Sequence, residues 1–263
     1  YYPHGNLASQ VLGFVDLDDK GIAGIEQKFN SYLAGKPGWI VRQMSGRGYS
    51  MYKTNLPQKI PVDGASIQLT IDLDYQAILQ EELTAQLELT NAISAMGLIL
   101  NPQTGDILAM ATVPDFDPNY PGRGEISWQR NKVITDQFEP GSTFKIVPLT
   151  AAVDQNTVSL WQEFNCENGS YTYAGHKIRD WDDFGLLTMP QIMENSSNVG
   201  VIKIAETLSQ NNLYHYSRDL GFGMHTHISL AGEQPGTLHQ VSEWSKISLA
   251  EVFLGHEVAV TAL

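Results

Sequence analysis

The run Glu139-Pro140-Gly141-Ser142-Thr143-Phe144-Lys145, continuing into Ile146, Val147, Leu149, Ala151, Ala152 and Val153, decides how this 263-residue chain is read. Glu-Pro-Gly is a turn, and the apolar text after it is that of a buried helix. Ser142 and Lys145 stand three residues apart, so on a helix they share a face and their side chains can meet. Serine is a weak nucleophile unless a base lies within hydrogen-bond reach. Lysine can be that base only where burial or nearby positive charge destabilises its ammonium. A helix start also supplies unpaired backbone N–H groups, which suit a developing oxyanion. Ser-x-x-Lys arises by chance about once in a chain this long, and a second copy stands at Ser50-Met51-Tyr52-Lys53. That copy lies among Gly46, Gly48 and Pro57 with no helical run behind it. These residues alone leave Ser142 two roles, acyl-accepting nucleophile or helix N-cap. Pro148 removes the backbone bond to the Phe144 carbonyl, so a bend is expected there.

Outward from this run, Ser66 to Ile71 alternates as a strand, and Asp74 is placed to cap a helix from Tyr75 to about Leu89. Met96 to Leu100 and Ile107 to Thr112 flank Asn101-Pro102-Gln103-Thr104-Gly105-Asp106, which has the chemistry of a hairpin turn. The two strands are therefore expected to pair antiparallel. Downstream the text is mostly helical, including Met189 to Met193 and Val199 to Leu208. Residues 1–64 read as short elements broken by Gly and Pro, with one helix from Ala23 to Leu33. Strand, helix, hairpin and then helices predict an α+β layer architecture.

Composition excludes several classes. A net charge of -13 and a pI near 4.8 argue against a nucleic-acid binder, which needs a basic footprint. Cys166 is the single cysteine, so neither an internal disulfide nor a zinc site can be built on thiols. No His/Cys/Asp cluster has metal-ligand spacing, and neither a metal nor an organic cofactor is expected. No stretch approaches the roughly 18 uninterrupted apolar residues of a membrane span.

On the motif and the text around it, the chain resembles the class B penicillin-binding proteins, serine D,D-transpeptidases that cross-link peptidoglycan. Tyr2-Pro3, Val11-Leu12-Gly13-Phe14 and Gly21-Ile22-Ala23-Gly24-Ile25-Glu26 look like the module that precedes the transpeptidase domain, of the cell-division type. Leu69-Thr70-Ile71-Asp72 looks like that domain's opening strand, and Gly105-Asp106-Ile107-Leu108-Ala109-Met110-Ala111 like its first hairpin. The opening heptapeptide looks like the family's nucleophile motif. The family's second motif, Ser-x-Asn, is matched by Ser196-Ser197-Asn198; Ser209-Gln210-Asn211 has the same spacing but not the same neighbours. Gly221-Phe222-Gly223 and Gly232-Glu233-Gln234-Pro235-Gly236 look like turns of the family, and Gly255 to Leu263 like the start of a long helix. His256 in that stretch is expected to be structural, because the family's base is lysine.

The resemblance implies a penicilloyl-serine transferase fold, with an antiparallel sheet, helices on both sides and its C-terminal part missing. It implies an N-terminal linker module over 1–64 and an incomplete transpeptidase domain over 65–263. It implies Ser142 as nucleophile, Lys145 as a base neutral at rest, Ser196 as proton relay and Asn198 as a contact to substrate backbone and Lys145. The implied substrate is a stem peptide ending in D-Ala-D-Ala, with β-lactams as mimics and cell-division proteins as partners. The implied place is the outer, periplasmic side of the bacterial cytoplasmic membrane, reached through an N-terminal anchor. The third motif of the family, Lys-Thr/Ser-Gly, does not occur, and Lys53-Thr54-Asn55 is its nearest likeness. The 263 residues alone are therefore expected to bind penicillin poorly and to be inactive. The rival readings are a class D β-lactamase or sensor, which carries Ser-x-Val where Asn198 stands here, a D,D-carboxypeptidase, and a non-catalytic division scaffold.

Overall fold

A single carboxylate starts the longest helix. In the computed structural model, which describes residues 1–51 and 56–263, Asp72 Oδ1 accepts from the N–H groups of Asp74 (2.9 Å) and Tyr75 (3.1 Å). The cap is thus two residues earlier than the expected Asp74, and helix α1 runs Leu73–Thr90. The cap works because Asp72 is extended (φ -93°, ψ 128°), which aims its side chain at the donors of the first turn. Residues 66–71, expected as a strand, form no ladder. Thr70 Oγ1 donates to the Ile107 carbonyl and the Asp72 N–H to that of Leu108, which ties the end of the segment to the hairpin without a strand partner along its length.

Strands β1 (Ala95–Leu100) and β2 (Ile107–Val113) pair antiparallel with Leu98 opposite Met110, as the hairpin text predicts. Their turn is closed by the Asn101 N–H to the Asp106 carbonyl (2.9 Å) and by Gly105 at φ +77°. Helix α1 grips this hairpin through buried amides rather than apolar contact alone. The Gln76 side chain, fully buried, donates to the Met110 carbonyl (2.9 Å) and accepts from the Met110 N–H (2.8 Å). It so takes the place that a neighbouring strand's backbone would fill. Gln80 extends the network to Asp115 (2.8 Å) and to the backbone of Ala8 (2.9 Å).

The expected helix over residues 23–33 is broken at Phe29, whose backbone (φ -109°, ψ 18°) leaves the helical region between Gly24–Lys28 and Asn30–Leu33. Two-residue strands follow, Trp39–Ile40 against Gln58–Lys59 and Gln43–Met44 against Ser50–Met51. The Ser50-Met51-Tyr52-Lys53 copy and Lys53-Thr54-Asn55 run into residues outside those described.

The described residues form two compact units, Tyr1–Val133 with Ser229–Gly232, and Ile134–Ile228 with Glu233–Leu263. The second unit opens with a 3-10 turn over Gly141–Lys145 that passes into helix α2, Ile146–Asp154. Because the α-helix proper begins at Ile146, Pro148 falls in its first turn, where a missing N–H is tolerated; the chain winds tighter ahead of Pro148 instead of bending at it. Next come β3 (Glu163–Asn165), β4 (Ser170–Tyr173), β5 (His176–Arg179) and β6 (Leu186–Thr188), paired β4 with β5 and β3 with β6. Helices α3 (Met189–Glu194), α4 (Asn198–Ala205), α5 (Gln210–Asp219) and α6 (Ser248–Phe253) complete the layer. Its core joins Phe144, Val147 and Ala151 to Val199, Val201 and Ile204 of α4 and to Val252 and Phe253 of α6, all buried. Full burial of such side chains contributes about 2 kcal/mol each.

Gly255 to Leu263 does not continue as a helix. Gly255 at φ +80° ends the helical stretch, and Val258–Ala259 pairs with Thr237–Leu238 while Val260 bridges Phe138. β-branched Val258 and Val260 suit that extended pairing.

Replacing Gln76 by Leu keeps the volume but leaves both Met110 backbone groups unpaired. The variant is expected to lose about 2–3 kcal/mol of stability, measured by urea unfolding; an unchanged midpoint would show that the amide bridge contributes nothing.

Candidate active site

Ser142 and Lys145 stand at the second and last positions of the 3-10 turn. Two contacts hold that turn. On its apolar side Phe144 is buried and meets the Phe222 ring edge-on, with centroids 4.9 Å apart and planes at 81°. On its backbone side the Gly141 N–H donates to the Gly255 carbonyl (3.1 Å), and Phe138 and Val260 exchange two bonds of 2.9 Å. A Cβ on Gly255 would come within 2.0 Å of the Gly141 oxygen, so only glycine permits this approach.

The Ser142 hydroxyl is exposed and, among the described residues, has no hydrogen-bond partner. It caps nothing; the nearby cap-like bond is made by Thr143 Oγ1 to the Pro140 carbonyl (2.7 Å). Lys145 is the opposite case. It is 1% exposed, and its Nζ donates to the Ser196 carbonyl (2.7 Å), Ser196 Oγ (3.0 Å) and Asn198 Oδ1 (2.7 Å). Burial lowers its pKa from 10.5 to about 8, against the opposing pull of the Asp180 carboxylate. At neutral pH the ammonium still predominates, and its three donors match three acceptors. Burial thus acts in the direction that the expected neutral base requires. A free lone pair on Nζ requires one of these bonds to reverse, and Ser196 Oγ is the one partner of the three that can turn from acceptor to donor.

The Ser-Ser-Asn run divides its tasks. Ser197 is the N-cap of α4, its Oγ accepting from the Gly200 N–H (2.9 Å), so the cap role belongs to the middle serine. Ser196 precedes it at φ +52°, a conformation uncommon for a residue with a side chain. Asn198 gives its amide oxygen to Lys145 and its Nδ2 to the Arg179 carbonyl (2.9 Å). Ser209 of the other Ser-x-Asn is the N-cap of α5, accepting from Asn212 N–H (3.1 Å). His256 bonds Glu251 (2.9 Å) on the exposed end of α6 and has no part in the lysine cluster. Asp180 sits under the second motif and was not visible as a site residue in the sequence, where it is one acid in the run Arg179-Asp180-Trp181-Asp182-Asp183.

The family pattern of the penicillin-binding protein transpeptidase domain matches residues 95–263. The chain belongs to this family. Its relatives include stage V sporulation protein D of Bacillus subtilis, 32% identical with 100% of this chain and 41% of that protein covered. They include the peptidoglycan D,D-transpeptidase FtsI of Escherichia coli, also 32% identical, with 100% and 44% covered; such relatives place the chain in class B. Penicillin-binding protein 3 of Mycobacterium tuberculosis superposes with a TM-score of 0.82 at 28% identity, covering 99% of this chain and 55% of that one. That protein has also been solved with aztreonam and with ampicillin. The chain thus has the penicilloyl-serine transferase fold. It spans less than half the length of these curated relatives.

The lowered pKa of Lys145 has a sign that can be checked. Between about 8 and 10.5 the unfolded chain holds a proton that the folded one has released, so stability rises with pH through that window. The burial penalty is complete below about 8 and amounts at most to about 3 kcal/mol. Urea unfolding of the 263-residue chain should show this rise, and Lys145→Met should lack it; identical pH dependence in both would refute the buried-ammonium account.

Proposed function

We propose that the chain is the nucleophile-bearing part of a serine D,D-transpeptidase that cross-links peptidoglycan stem peptides and is acylated by β-lactams. The observation that carries this reading is the buried Lys145 Nζ, gathered by Ser196 and Asn198 one helical turn from an uncommitted Ser142 hydroxyl. Names of relatives support it, as do the β-lactam complexes of the mycobacterial protein. In this reading residues 1–64 form the end of a linker module and residues 65–263 belong to the transpeptidase domain. The whole protein works on the outer face of the cytoplasmic membrane, held by an N-terminal anchor, in contact with division proteins. Among the described residues no helix is long and apolar enough to cross a membrane.

Chemically, deprotonated Lys145 takes the Ser142 proton as Oγ attacks the carbonyl of the penultimate D-Ala. With the Gly141 N–H taken by the Gly255 carbonyl, the Ser142 N–H in the first turn is the donor this reading assigns to the developing oxyanion, such a donor being worth roughly 3 kcal/mol. The proton passes from Lys145 through Ser196 Oγ to the nitrogen of the terminal D-Ala as the peptide C–N bond breaks. An amine from a second stem peptide then attacks the Ser142 ester, gives its proton back along the same path, and frees the hydroxyl. A β-lactam follows the first half; its opened ring stays attached and blocks the acceptor. Asn198 bonded to Lys145 weighs against the class D β-lactamase reading.

Fluorescent penicillin should label the native gene product stoichiometrically at Ser142, and Ser142→Ala should abolish labelling. The acylation rate should rise with pH through a midpoint near 8, as Lys145 loses its proton. The 263 residues alone should label weakly. Full labelling of Ser142→Ala would sink the assignment.

A further inference from the structure

Asp180, directly after β5, receives three hydrogen bonds from three consecutive residues. Oδ2 accepts from Ser197 Oγ (2.7 Å), and Oδ1 accepts from the backbone N–H groups of Asn198 and of Val199, the latter at 3.0 Å. Its two chain neighbours grip the same turn from either end. The Arg179 carbonyl accepts from Asn198 Nδ2 (2.9 Å), and Trp181 Nε1 donates to the Asn195 carbonyl (2.8 Å). Between those ends lies Ser196 at φ +52°, a backbone state that persists only when its surroundings over-determine it.

We propose that Asp180 is a positioning residue for the transpeptidase reaction: its carboxylate ties down Ser197, Asn198 and Val199 and so presents Ser196 and Asn198 to Lys145. Two effects of one group can be separated. The hydrogen bonds hold the turn that buries the Lys145 ammonium. The negative charge favours that ammonium, restraining the fall in its pKa that burial causes. Cys166 is a second titratable group near this carboxylate; its thiol lies 3.6 Å from Ser197 Oγ and is pushed up in pKa by burial, so it stays neutral. Arg179, Asp182 and Asp183 are the charged chain neighbours of Asp180. Glu167 and Lys203, paired at 3.2 Å, face the thiol from beyond. Asp180 is the acid whose charge acts on the lysine against burial. The inference rests on the reading of Lys145 as the base, but its test needs no acyl transfer.

The test is a titration of Lys145 in the 263-residue chain, followed by NMR of its ε-carbon in 13C-lysine protein and assigned with Lys145→Arg. Asp180→Asn keeps the shape and an acceptor oxygen for the two backbone donors while removing the charge. Its midpoint should fall below the wild-type value near 8. Asp180→Ala removes the hydrogen bonds as well; the turn opens, water reaches Nζ, and the midpoint should climb toward the ordinary 10.5. In the native gene product Asp180→Ala should also slow penicillin acylation by roughly tenfold or more. Two variants that both titrate like wild type would overturn the proposal. A midpoint in Asp180→Ala that falls as in Asp180→Asn would show the turn held without Asp180 and remove the positioning role. Absence of labelling in wild type would instead count against the transpeptidase reading and leave the titration result standing.

Discussion

A lysine ammonium almost wholly removed from water constrains everything around it. Charge buried without partners is far more costly than the few kcal/mol by which a domain is stable. Lys145 therefore requires acceptors, and it finds three on Ser196 and Asn198 at 2.7–3.0 Å. These bonds tie the helical run that carries Ser142 to a turn some fifty residues later in the chain, the separation from Lys145 to Ser196 being 51. Both sides must be held in place for the three distances to coexist. Phe144 against Phe222 holds the first from below, and the Gly141–Gly255 contact holds it from behind. The second is held by Asp180 and by the α4 cap of Ser197.

The same constraint divides the chemistry among neighbours. Ser142 has an exposed hydroxyl with no partner among the described residues, whereas Lys145, three positions on, has every donor occupied. In the proposed reaction a nucleophile must be reachable by a large peptide, and its base must be shielded enough to give up a proton near neutral pH. A tight 3-10 turn followed by an α-helix provides both within five residues, because it turns one side chain outward and the other into the core. The first compact unit obeys the same physics with neutral groups. Gln76 and Gln80 are buried there because hairpin backbone and Asp115 satisfy their amides.

Elements with strong local signals were legible from residues alone. The hairpin at Ala95–Val113, the helix after Lys145 and the helices on either side of Ser196 follow from apolar periodicity and turn chemistry. Errors arose where a local pattern had competing outcomes. Asp72 and Asp74 are both able to cap, and the one in extended backbone does so. Residues 66–71 alternate like a strand but lack a strand partner, and Phe29 interrupts an apolar stripe that looked continuous. Gly255–Leu263 has helical text, yet its valines pair with Leu238 and Phe138, which lie far away in the sequence.

By itself the sequence singled out the candidate reacting groups. Serine and lysine three apart in helical text, and a Ser-x-Asn downstream, are local patterns whose chemistry is intrinsic to the side chains. It could not rank Ser142 between nucleophile and cap, since both use the same atom. Only the tertiary structure shows that Ser142 makes no capping bond, and that in the second motif Ser197, not Ser196, caps α4. It also decided how far the Lys145 pKa falls, and it brought Asp180 under the turn. Burial and long-range charge depend on which distant segments meet, and no spacing within a short motif encodes them.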